Sequence, residues 1–180
     1  MDFIIGLPKY KGRNVILVVV NRITKYAHFS ALSHPFKVST FATTFMETIQ
    51  KLHGNPKIIV SDIDPIFTGN FWTKLFSCLG TQLAHSSSYH PQSDGQIEIV
   101  NKCLEGYLRC FVFDKQTQWV KWLPLVEWWY NTSFHTAAKM TPFMALYGYH
   151  PPSITSYLRE NYKNQAVEYH IEHQQQVIQL

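Results

Sequence analysis

Apolar residues near the N-terminus form short runs of the kind that build strands. Val15–Val20 is an unbroken apolar run, and residues 26–32 alternate loosely between apolar and polar positions. Runs of this length, rich in β-branched and aromatic residues, predict strands. Together with the short apolar run beside Asp2, they predict three consecutive antiparallel strands at the start of the chain.

The next segment switches to helical spacing and then back to strands. Apolar residues recur every three or four positions over residues 39–53, which predicts a helix that ends at Gly54. Residues 57–61 are nearly all apolar, as in a strand covered on both faces. We expect a short helix over residues 71–79 and one more strand over residues 82–86.

A polar stretch at residues 87–96 separates these elements from the longer helices. It carries Pro91 and Gly95, so we expect an exposed, mobile loop. Ser93 and Gln96 stand three apart in the form of a capping box, which predicts that a helix begins here. The helical pattern then continues through Phe111.

The last predicted elements are rich in tryptophan. Residues 119–129 carry four Trp side chains at helical spacing, and we interpret this stripe as packing surface. Pro124 lies inside the pattern and predicts a kink or two shorter segments. Thr141 and Pro142 have the form of a helix cap followed by a proline at the first helical position. From residue 149 the chain turns polar, so we place one domain at residues 1–148 and a polar partial helix or tail at residues 149–180.

The order of the predicted elements sets the fold class. Three strands are followed by a helix, a strand, a helix, a strand and then helices. This order predicts an α/β layer structure with a mixed sheet.

Composition supports a single globular domain. The 180 residues are 46% hydrophobic and only 16% charged, with a net charge of +4. Such a chain forms a core, and its slight basic excess permits a polyanionic partner without demanding one. No apolar run approaches the length of a membrane span. None of Cys78, Cys103 and Cys110 belongs to a CxxC pair, so we expect a reducing, intracellular setting and interpret Cys103 and Cys110 as buried small hydrophobic residues.

Three acidic residues form the candidate chemistry. Asp2 lies beside an apolar run, Asp62 follows the run Ile58-Ile59-Val60, and Glu98 comes early in the long helical pattern. Carboxylates that meet in a cleft imply a cation between them, and hard oxygen ligands favour Mg²⁺ or Mn²⁺. Two such ions could activate an attacking oxygen and stabilise a leaving one at phosphorus. In that arrangement Asp2 bridges both ions, while Asp62 and Glu98 each hold one.

A helix start beside Glu98 would strengthen this interpretation. The positive end of a helix favours an ionised carboxylate by roughly 0.3–1 kcal/mol. Taken singly, however, each acid has an ordinary explanation: a terminal residue for Asp2, a turn residue for Asp62 and a first-turn glutamate for Glu98.

Four stretches of the chain resemble one known family. They are MDFIIGLPKYKGRNVILVVVNRITKYAHFSAL, KLHGNPKIIVSDIDPIFTGNFWTKLF, SSSYHPQSDGQIEIVNKCLEGYLR and WLPLVEWWYNTSFHTAAKMTPFMALYG. Together they look like the integrase catalytic core of gypsy-class LTR retrotransposon polyproteins. The resemblance implies a ribonuclease H-like three-layer fold, with helices flanking a mixed sheet. It also implies a D,D-35-E triad at Asp2, Asp62 and Glu98, which would bind two Mg²⁺ or Mn²⁺ ions.

The resemblance further implies a nucleic-acid partner and a reaction. The family's cores process DNA 3′ ends and join them to target DNA, which implies DNA integration by a polynucleotidyl transferase that acts in the nucleus as a homo-oligomer. It implies neither a membrane nor a small-molecule substrate, and the sequence carries no targeting signal. The positions that correspond to the family's DNA contacts are Tyr89, Pro91, Gln92, Asp94, Gly95, Gln96, Asn101 and Lys102.

Three positions depart from the family pattern. Asn21 stands where Asp is expected, and Ile63 and Ile99 stand where Arg is expected. The two lost cations flank the triad acids, where they could steer phosphate. The family's zinc module and downstream DNA-binding segment also have no counterpart here. These departures keep open an alternative, a truncated or co-opted inactive fragment that binds nucleic acid. A related nuclease that cuts without joining is a third hypothesis.

Overall fold

The computed structural model describes residues 1–35, 37–61, 69–85, 91–111 and 118–152. Met1–Tyr149 form one compact unit. Almost all of the polar segment predicted at residues 149–180 lies outside the described residues, so the proposed division of the chain after residue 148 stays a prediction.

The first sheet confirms the three predicted N-terminal strands. Strand β1 is Asp2–Ile4, β2 is Val15–Val20 and β3 is Ala27–Leu32. Both pairings are antiparallel: β1 pairs with β2 so that Asp2 stands opposite Val18, and all six residues of β2 pair with β3. The β-branched residues of β2 favour this extended, buried position.

A second, parallel pair of strands completes the described sheet structure. Strand β4 is Ile58–Ser61 and β5 is Gln82–His85, with Ile58 opposite Gln82. The two sheets meet where the Met1 amine donates a hydrogen bond to the Val60 carbonyl at 2.7 Å. The α/β class with mixed strand directions is therefore confirmed.

Six α-helical segments accompany the strands in the described residues, and one π-helical segment joins the first two. The helices are α1 Val38–Phe45, α2 Lys51–His53, α3 Asn70–Cys78, α4 Pro91–Phe111, α5 Trp119–Thr132 and α6 Pro142–Tyr147; the π-helical segment is Met46–Gln50. The helix predicted over residues 39–53 is therefore present as α1, the π-helical segment and α2, and it ends at Gly54 as predicted.

The loop predicted at residues 87–96 is wrong in its second half. Helix α4 already begins at Pro91, so Ser93 and Gln96 lie inside the helix and not at its cap. Proline suits the first helical position because its φ is already helical and its missing N–H has no partner to lose there. This preference outweighs the capping pattern two residues later.

Of the two outcomes expected at Pro124, the division into two shorter segments is wrong. Helix α5 runs through Pro124 as one element from Trp119 to Thr132. The Pro124 side chain is exposed, so its ring projects into solvent. Packing of α5 against β3 and α4 holds the helix together despite the missing N–H.

Helix α6 has the predicted ends. The Thr141 hydroxyl accepts a hydrogen bond from the Met144 N–H at 3.1 Å, and Pro142 occupies the first turn. Gly148 ends the helix with φ of 79°, a left-handed conformation that glycine adopts without strain.

Two hydrophobic clusters cover the two faces of the first sheet. On one face, Ile16 and Val18 pack with Val100, Leu104 and residues of α5. On the other face, Val15 and Leu17 pack with a cluster of aromatic and aliphatic side chains from α1, the π-helical segment, β4 and α3. The alternation of β2 residues between the clusters follows from the two-residue period of a strand. The chain thus forms a helix–sheet–helix sandwich.

The prediction that Cys103 and Cys110 are buried is wrong. Both thiols are exposed, as is Cys78. Leu104 and Leu108 point into the core from α4, so the helix surface that carries the two cysteines faces solvent. Within the described residues, no helix is long and apolar enough to cross a membrane.

Candidate active site

Asp2 is held in place at the sheet by two hydrogen bonds. Its Oδ1 accepts from the Phe3 N–H at 2.7 Å, and its Oδ2 accepts from Asn101 Nδ2 at 2.7 Å. Asp2 is half-buried and lies on β1 in the first sheet. Asn101 belongs to α4, so this contact joins the first strand to the long helix.

Asn101 also identifies the face of α4 that meets Asp2. It lies three residues after Glu98, and side chains three apart share one face of a helix. The Asn101 Oδ1 atom is buried and has no hydrogen-bond partner among the described residues. The amide nitrogen thus donates to Asp2, while the amide oxygen remains an unpaired acceptor. The contact with Asp2 is therefore made at a cost in folding free energy. Sequence reasoning assigned Asn101 to DNA and missed its contact with Asp2.

Glu98 forms an ion pair on the solvent side of the same helix. Its Oε1 lies 2.8 Å from Lys102 Nζ, and the two side chains are 65% and 72% exposed. Hydrogen bonding to Glu98 and the charge of Glu98 raise the pKa of Lys102. Lys102, which the family resemblance assigns to DNA, is paired with a triad position in this structure.

The predicted electrostatic benefit of a helix start at Glu98 is wrong. Glu98 lies seven residues after Pro91, where α4 begins. The field of the helix end falls off within the first turn, so it contributes little at this depth.

Several predicted site residues lie outside the described part of the structure. Asp62 and Tyr89 belong to the undescribed segments 62–68 and 86–90. The structure places Pro91, Gln92, Asp94 and Gln96 in α4 by their backbone, and their side chains lie outside what it describes. Gly95 is half-buried within α4, and a Cβ at this position would meet no atom within 4 Å. The structure thus brings Asp2 together with the helix of Glu98, and Asp62 follows β4 directly in the chain.

The described residues offer the type of ligand that a divalent cation needs, but too few of them to form a complete site. Among the described residues, no group of three or more His, Cys, Asp or Glu side chains could hold a metal ion. Asp2 and Glu98 supply hard carboxylate oxygens of the kind that Mg²⁺ and Mn²⁺ prefer. Each oxygen of Asp2 accepts one hydrogen bond and keeps a second lone pair. Asp62 would be the third carboxylate.

Burial changes the ionisation of the group next to Asp2. Desolvation lowers the pKa of the Met1 amine to about 6, and the charge of Asp2 acts in the opposite direction. Met1 is only 6% exposed, in agreement with this cause.

Two of the three departures from the family pattern can be seen in the structure. Asn21 follows the last residue of β2, and its Oδ1 accepts hydrogen bonds from the N–H groups of Ile23 and Thr24 at 2.9 and 3.1 Å. An amide oxygen performs this turn-forming role as a carboxylate would. Ile99 is 62% exposed beside Glu98, so an apolar side chain occupies a solvent position. Ile63 lies outside the described residues.

Sequence reasoning missed a chain of polar contacts among three separate elements. Glu127 on α5 accepts from the Phe29 N–H at 2.7 Å and lies 3.0 Å from His28 Nδ1. His28 Nε2 lies 2.8 Å from His53 Nε2 at the end of α2. Because the carboxylate can only accept, His28 donates from Nδ1; a neutral His28 then accepts at Nε2 from the His53 N–H. The three residues are separated by 25 and 74 positions along the chain, so no local motif indicates them.

Comparison with curated proteins finds relatives among transposon polyproteins. The chain is 36% identical over 151 residues to the Tf2-3 and Tf2-4 transposon polyproteins of Schizosaccharomyces pombe. These matches cover 84% of the chain, which spans only 11% of each polyprotein's length. A scan against models of protein families finds no match.

Comparison with solved structures identifies the fold. The chain matches the simian T-cell lymphotropic virus intasome bound to a PP2A regulatory subunit, with a TM-score of 0.69 at 17% identity over 91% of this chain and 59% of that one. It matches the HTLV-2 integrase catalytic core domain in complex with magnesium, with a TM-score of 0.63 at 15% identity over 80% and 93%. The BIV integrase core gives a TM-score of 0.61 at 18% identity over 79% and 90%. The predicted ribonuclease H-like fold is confirmed.

Proposed function

Because the chain belongs to the integrase-type domains of LTR retrotransposon polyproteins, we propose that it binds DNA and transfers phosphoryl groups between DNA strands. The proposed reactions are 3′-end processing, in which water attacks a phosphodiester, and strand transfer, in which a DNA 3′-hydroxyl attacks it. The proposal covers only the domain that this chain forms. The activities of the much longer polyproteins are not implied.

The contact between Asp2 and Asn101 carries this proposal. It brings the carboxylate of β1 to α4, one helical turn after Glu98. Carboxylates supplied by a strand and by the helix that contacts it are what an active site assembled from several elements requires.

Asp2, Asp62 and Glu98 would hold two Mg²⁺ or Mn²⁺ ions. When bound, such ions activate the attacking oxygen and stabilise the leaving oxygen of an in-line displacement. Asn101 fixes the orientation of the Asp2 carboxylate, which leaves each oxygen a lone pair for a ligand. Glu98 is solvent-exposed, so little desolvation opposes its exchange of Lys102 for a cation.

Lys102 would change its partner when the site is occupied. With Glu98 engaged by a cation, the Lys102 ammonium becomes free to contact a DNA phosphate one turn along α4. Tyr89, Pro91, Gln92, Asp94, Gly95 and Gln96 are proposed as further DNA contacts. The same lysine would thus balance the charge of Glu98 in the free protein and that of DNA in the complex.

A strand-transfer and disintegration assay with Mn²⁺ tests the catalytic roles. Asp2→Asn, Asp62→Asn and Glu98→Gln each remove one charged ligand with almost no change of shape, so we expect activity to fall at least ~100-fold. Glu105→Gln is the matched control, because Glu105 is an exposed glutamate two turns along the same helix. Full activity in any of the three triad variants would remove that residue from the mechanism.

DNA binding is tested separately from catalysis. Lys102→Ala should weaken binding of a retroelement-end duplex and reduce the salt dependence by about one phosphate contact. Fluorescence anisotropy over a series of salt concentrations measures both quantities. Lys121→Ala is the control, since Lys121 is exposed on α5 and contacts Gln118. Equal salt slopes for the two variants would contradict a phosphate contact at Lys102.

The alternative is a fragment that binds nucleic acid without catalysis. The exposed Ile99 beside Glu98 is the observation that bears on it, because a cation there could steer phosphate. DNA binding without any Mn²⁺-dependent activity would favour this alternative. Recovery of activity in Ile99→Arg would attribute the loss to that departure.

Assembly and location complete the proposal. One matched structure is an intasome, and the HTLV-2 core was solved in trimeric and dimeric forms. We infer a homo-oligomer for this chain as well, and light scattering after size-exclusion chromatography measures it. Action on chromosomal DNA would place the protein in the nucleus.

A further inference from the structure

Two histidines from separate elements direct ring nitrogens at each other beside an open cavity. His28 lies on β3 and His53 is the last residue of α2. Their Nε2 atoms are 2.8 Å apart, and both rings line a cavity of about 410 Å³. His28 is only 6% exposed, whereas His53 is exposed to solvent. A buried imidazole and a surface imidazole therefore meet at a position that an ion can reach.

Glu127 fixes the orientation and the tautomer of His28. The Glu127 Oε1 atom lies 3.0 Å from His28 Nδ1, and its Oε2 accepts from the Phe29 N–H at 2.7 Å. The proton of His28 is thus held on Nδ1, which leaves the Nε2 lone pair directed at His53. Histidines that bind metal ions in proteins commonly donate their other ring N–H to a carboxylate in this way. His28 already has this arrangement without a metal.

His53 can supply a second lone pair at the same point. Partial desolvation, and secondly the nearby His28, lower the pKa of His53, which favours the neutral ring at neutral pH. A neutral imidazole can carry its proton on either nitrogen. If the proton moves from Nε2 to Nδ1, the hydrogen bond to His28 is replaced by two lone pairs that face one ion. His53 then binds the ion without losing a proton to solvent.

The geometry requires only a small adjustment. Two nitrogens bound to one tetrahedral zinc ion at about 2.0–2.1 Å stand about 3.3 Å apart. The two Nε2 atoms would therefore separate by about 0.5 Å from their present distance. His53 can make this movement because it is exposed and is followed by Gly54, where α2 ends. The Tyr26 ring, with its centroid 5.1 Å from that of His28 and 6.2 Å from that of His53, packs beside both.

The ligand set selects the class of ion and the openness of the site. Imidazole nitrogens suit Zn²⁺ and similar transition metals and not Mg²⁺. In the described part of the chain, no third His, Cys, Asp or Glu side chain joins the pair. Water from the cavity would complete the coordination, as in zinc sites that keep open positions. Arg22 and Lys57 also line the cavity, but both are exposed, so solvent and salt screen their charges.

We propose that His28 and His53 form an exchangeable binding site for Zn²⁺, with Glu127 as the positioning residue of His28. A bound ion would join the end of α2 to β3 and, through Glu127, to α5. The site is separate from Asp2 and Glu98 and uses a different class of ligand. This inference does not rest on the proposed function.

Calorimetric titration with Zn²⁺ alone as the probe tests the site. The chain is first freed of metal with a chelator, and the titration is made in excess Mg²⁺ so that carboxylate sites are occupied. We expect Zn²⁺ at a hundredfold excess over its Kd to raise Tm by at least ~4 °C. His28→Asn retains a donor for Glu127, and His53→Gln retains an N–H for His28. Each removes one ligand and should weaken Zn²⁺ binding at least ~100-fold.

A positioning role for Glu127 has its own readout. Glu127→Gln keeps an oxygen and the shape of the side chain, but it removes the carboxylate charge behind His28. We expect Zn²⁺ binding to weaken about 10-fold in this variant while both imidazole ligands remain. Unchanged affinity in folded Glu127→Gln would overturn its positioning role.

Two matched substitutions serve as controls. His34→Gln changes an exposed histidine just after β3, and His173→Gln changes one near the C-terminus. Both should bind Zn²⁺ as the parent does. Equal affinity in the parent, His28→Asn and His53→Gln would place the zinc elsewhere and overturn the proposal, as would a parent whose Tm does not respond to Zn²⁺. A loss in either control as large as that in His53→Gln would also overturn it. No readout involves DNA, so failure here is distinguishable from failure of the catalytic proposal.

Discussion

At the scale of single residues, Asn101 adds little to stability but orients a candidate metal ligand. Its amide donates to Asp2, but its buried Oδ1 has no partner in the described part of the chain. A buried acceptor without a partner costs about 1–3 kcal/mol, comparable with what the Asp2 contact contributes. The cost of the unpaired Oδ1 therefore offsets the gain from the Asp2 contact, and we interpret Asn101 as the residue that orients the Asp2 carboxylate.

Asn101→Leu, a substitution of similar size, tests whether Asn101 orients Asp2 for metal binding. Removing the donor to Asp2 should weaken Mn²⁺ binding about 10–100-fold, as losses of outer-shell partners do in metal sites. Removing the unpaired Oδ1 at the same time should keep the free energy of unfolding within about 1 kcal/mol of the parent. Calorimetric titration with Mn²⁺ and urea denaturation measure the two quantities. A large loss of stability with unchanged Mn²⁺ affinity would make Asn101 a structural residue only.

Residue-scale chemistry was only partly predictable from the sequence. Asp2 and Glu98 could be proposed because their flanks and the family resemblance single them out. The contact of Asn101 with Asp2 spans 99 positions, and the pairing of Lys102 with Glu98 depends on which rotamers the free protein adopts. The exposure of Cys103 was not predicted because neighbouring residues of a helix can differ sharply in burial: Leu104, the next residue, is fully buried.

At the scale of elements, Glu127 joins α5 to β3 and, through His28, to the end of α2. Glu127→Ala would leave the Phe29 N–H and the His28 Nδ1–H without their acceptors inside the protein. We expect a loss of about 2–4 kcal/mol, because each unsatisfied buried group costs about 1–3 kcal/mol. Urea denaturation measures it, with the exposed Glu105→Ala as control. A loss below about 1 kcal/mol would show that water replaces Glu127 at this position.

The pH response of the same elements follows from His53. Partial desolvation, and secondly the nearby His28, lower the pKa of His53. The unfolded chain then binds more protons than the folded one below pH 6.5. The contribution of neutral His53 to the free energy of unfolding is therefore complete above pH 6.5 and is lost as the pH falls toward the folded pKa. His53→Gln keeps an N–H for His28 and removes the titration. We expect a smaller drop in Tm between pH 7.5 and pH 5.5 in this variant than in the parent, and equal drops would contradict the assignment.

Element boundaries show why local patterns were insufficient. The strands and the cap of α6 were predicted because β-branched runs and Thr-Pro pairs act locally. The predicted start of α4 was too late, and the predicted division of α5 into two segments did not occur, because each proline was judged without its surroundings. Pro91 starts a helix at a position where its missing N–H costs nothing, and Pro124 is tolerated where α5 packs on β3 and α4.

At the scale of the whole molecule, the two hydrophobic clusters make the sheet depend on helices on both of its faces. Helix α4 has a double role, since one surface carries Val100, Leu104 and Leu108 into a cluster and an adjacent surface presents Asn101 and Glu98. The candidate site is therefore positioned by core packing, and the resemblance predicted this layered arrangement correctly. A substitution at the packed surface of α4 should therefore lower stability and also disturb the candidate site.

Two neighbouring residues on α4 test this dependence. Leu104 is fully buried, and Cys103 beside it is exposed. Leu104→Ala should lower the free energy of unfolding by about 2–5 kcal/mol, because it removes buried methyl groups and leaves a cavity. Cys103→Ala should stay within about 0.5 kcal/mol, as surface substitutions usually do. Urea denaturation compares them, and Mn²⁺ titration of folded Leu104→Ala shows whether the loosened helix also weakens the site. Equal destabilisation by both substitutions would mean that α4 packs through a different face.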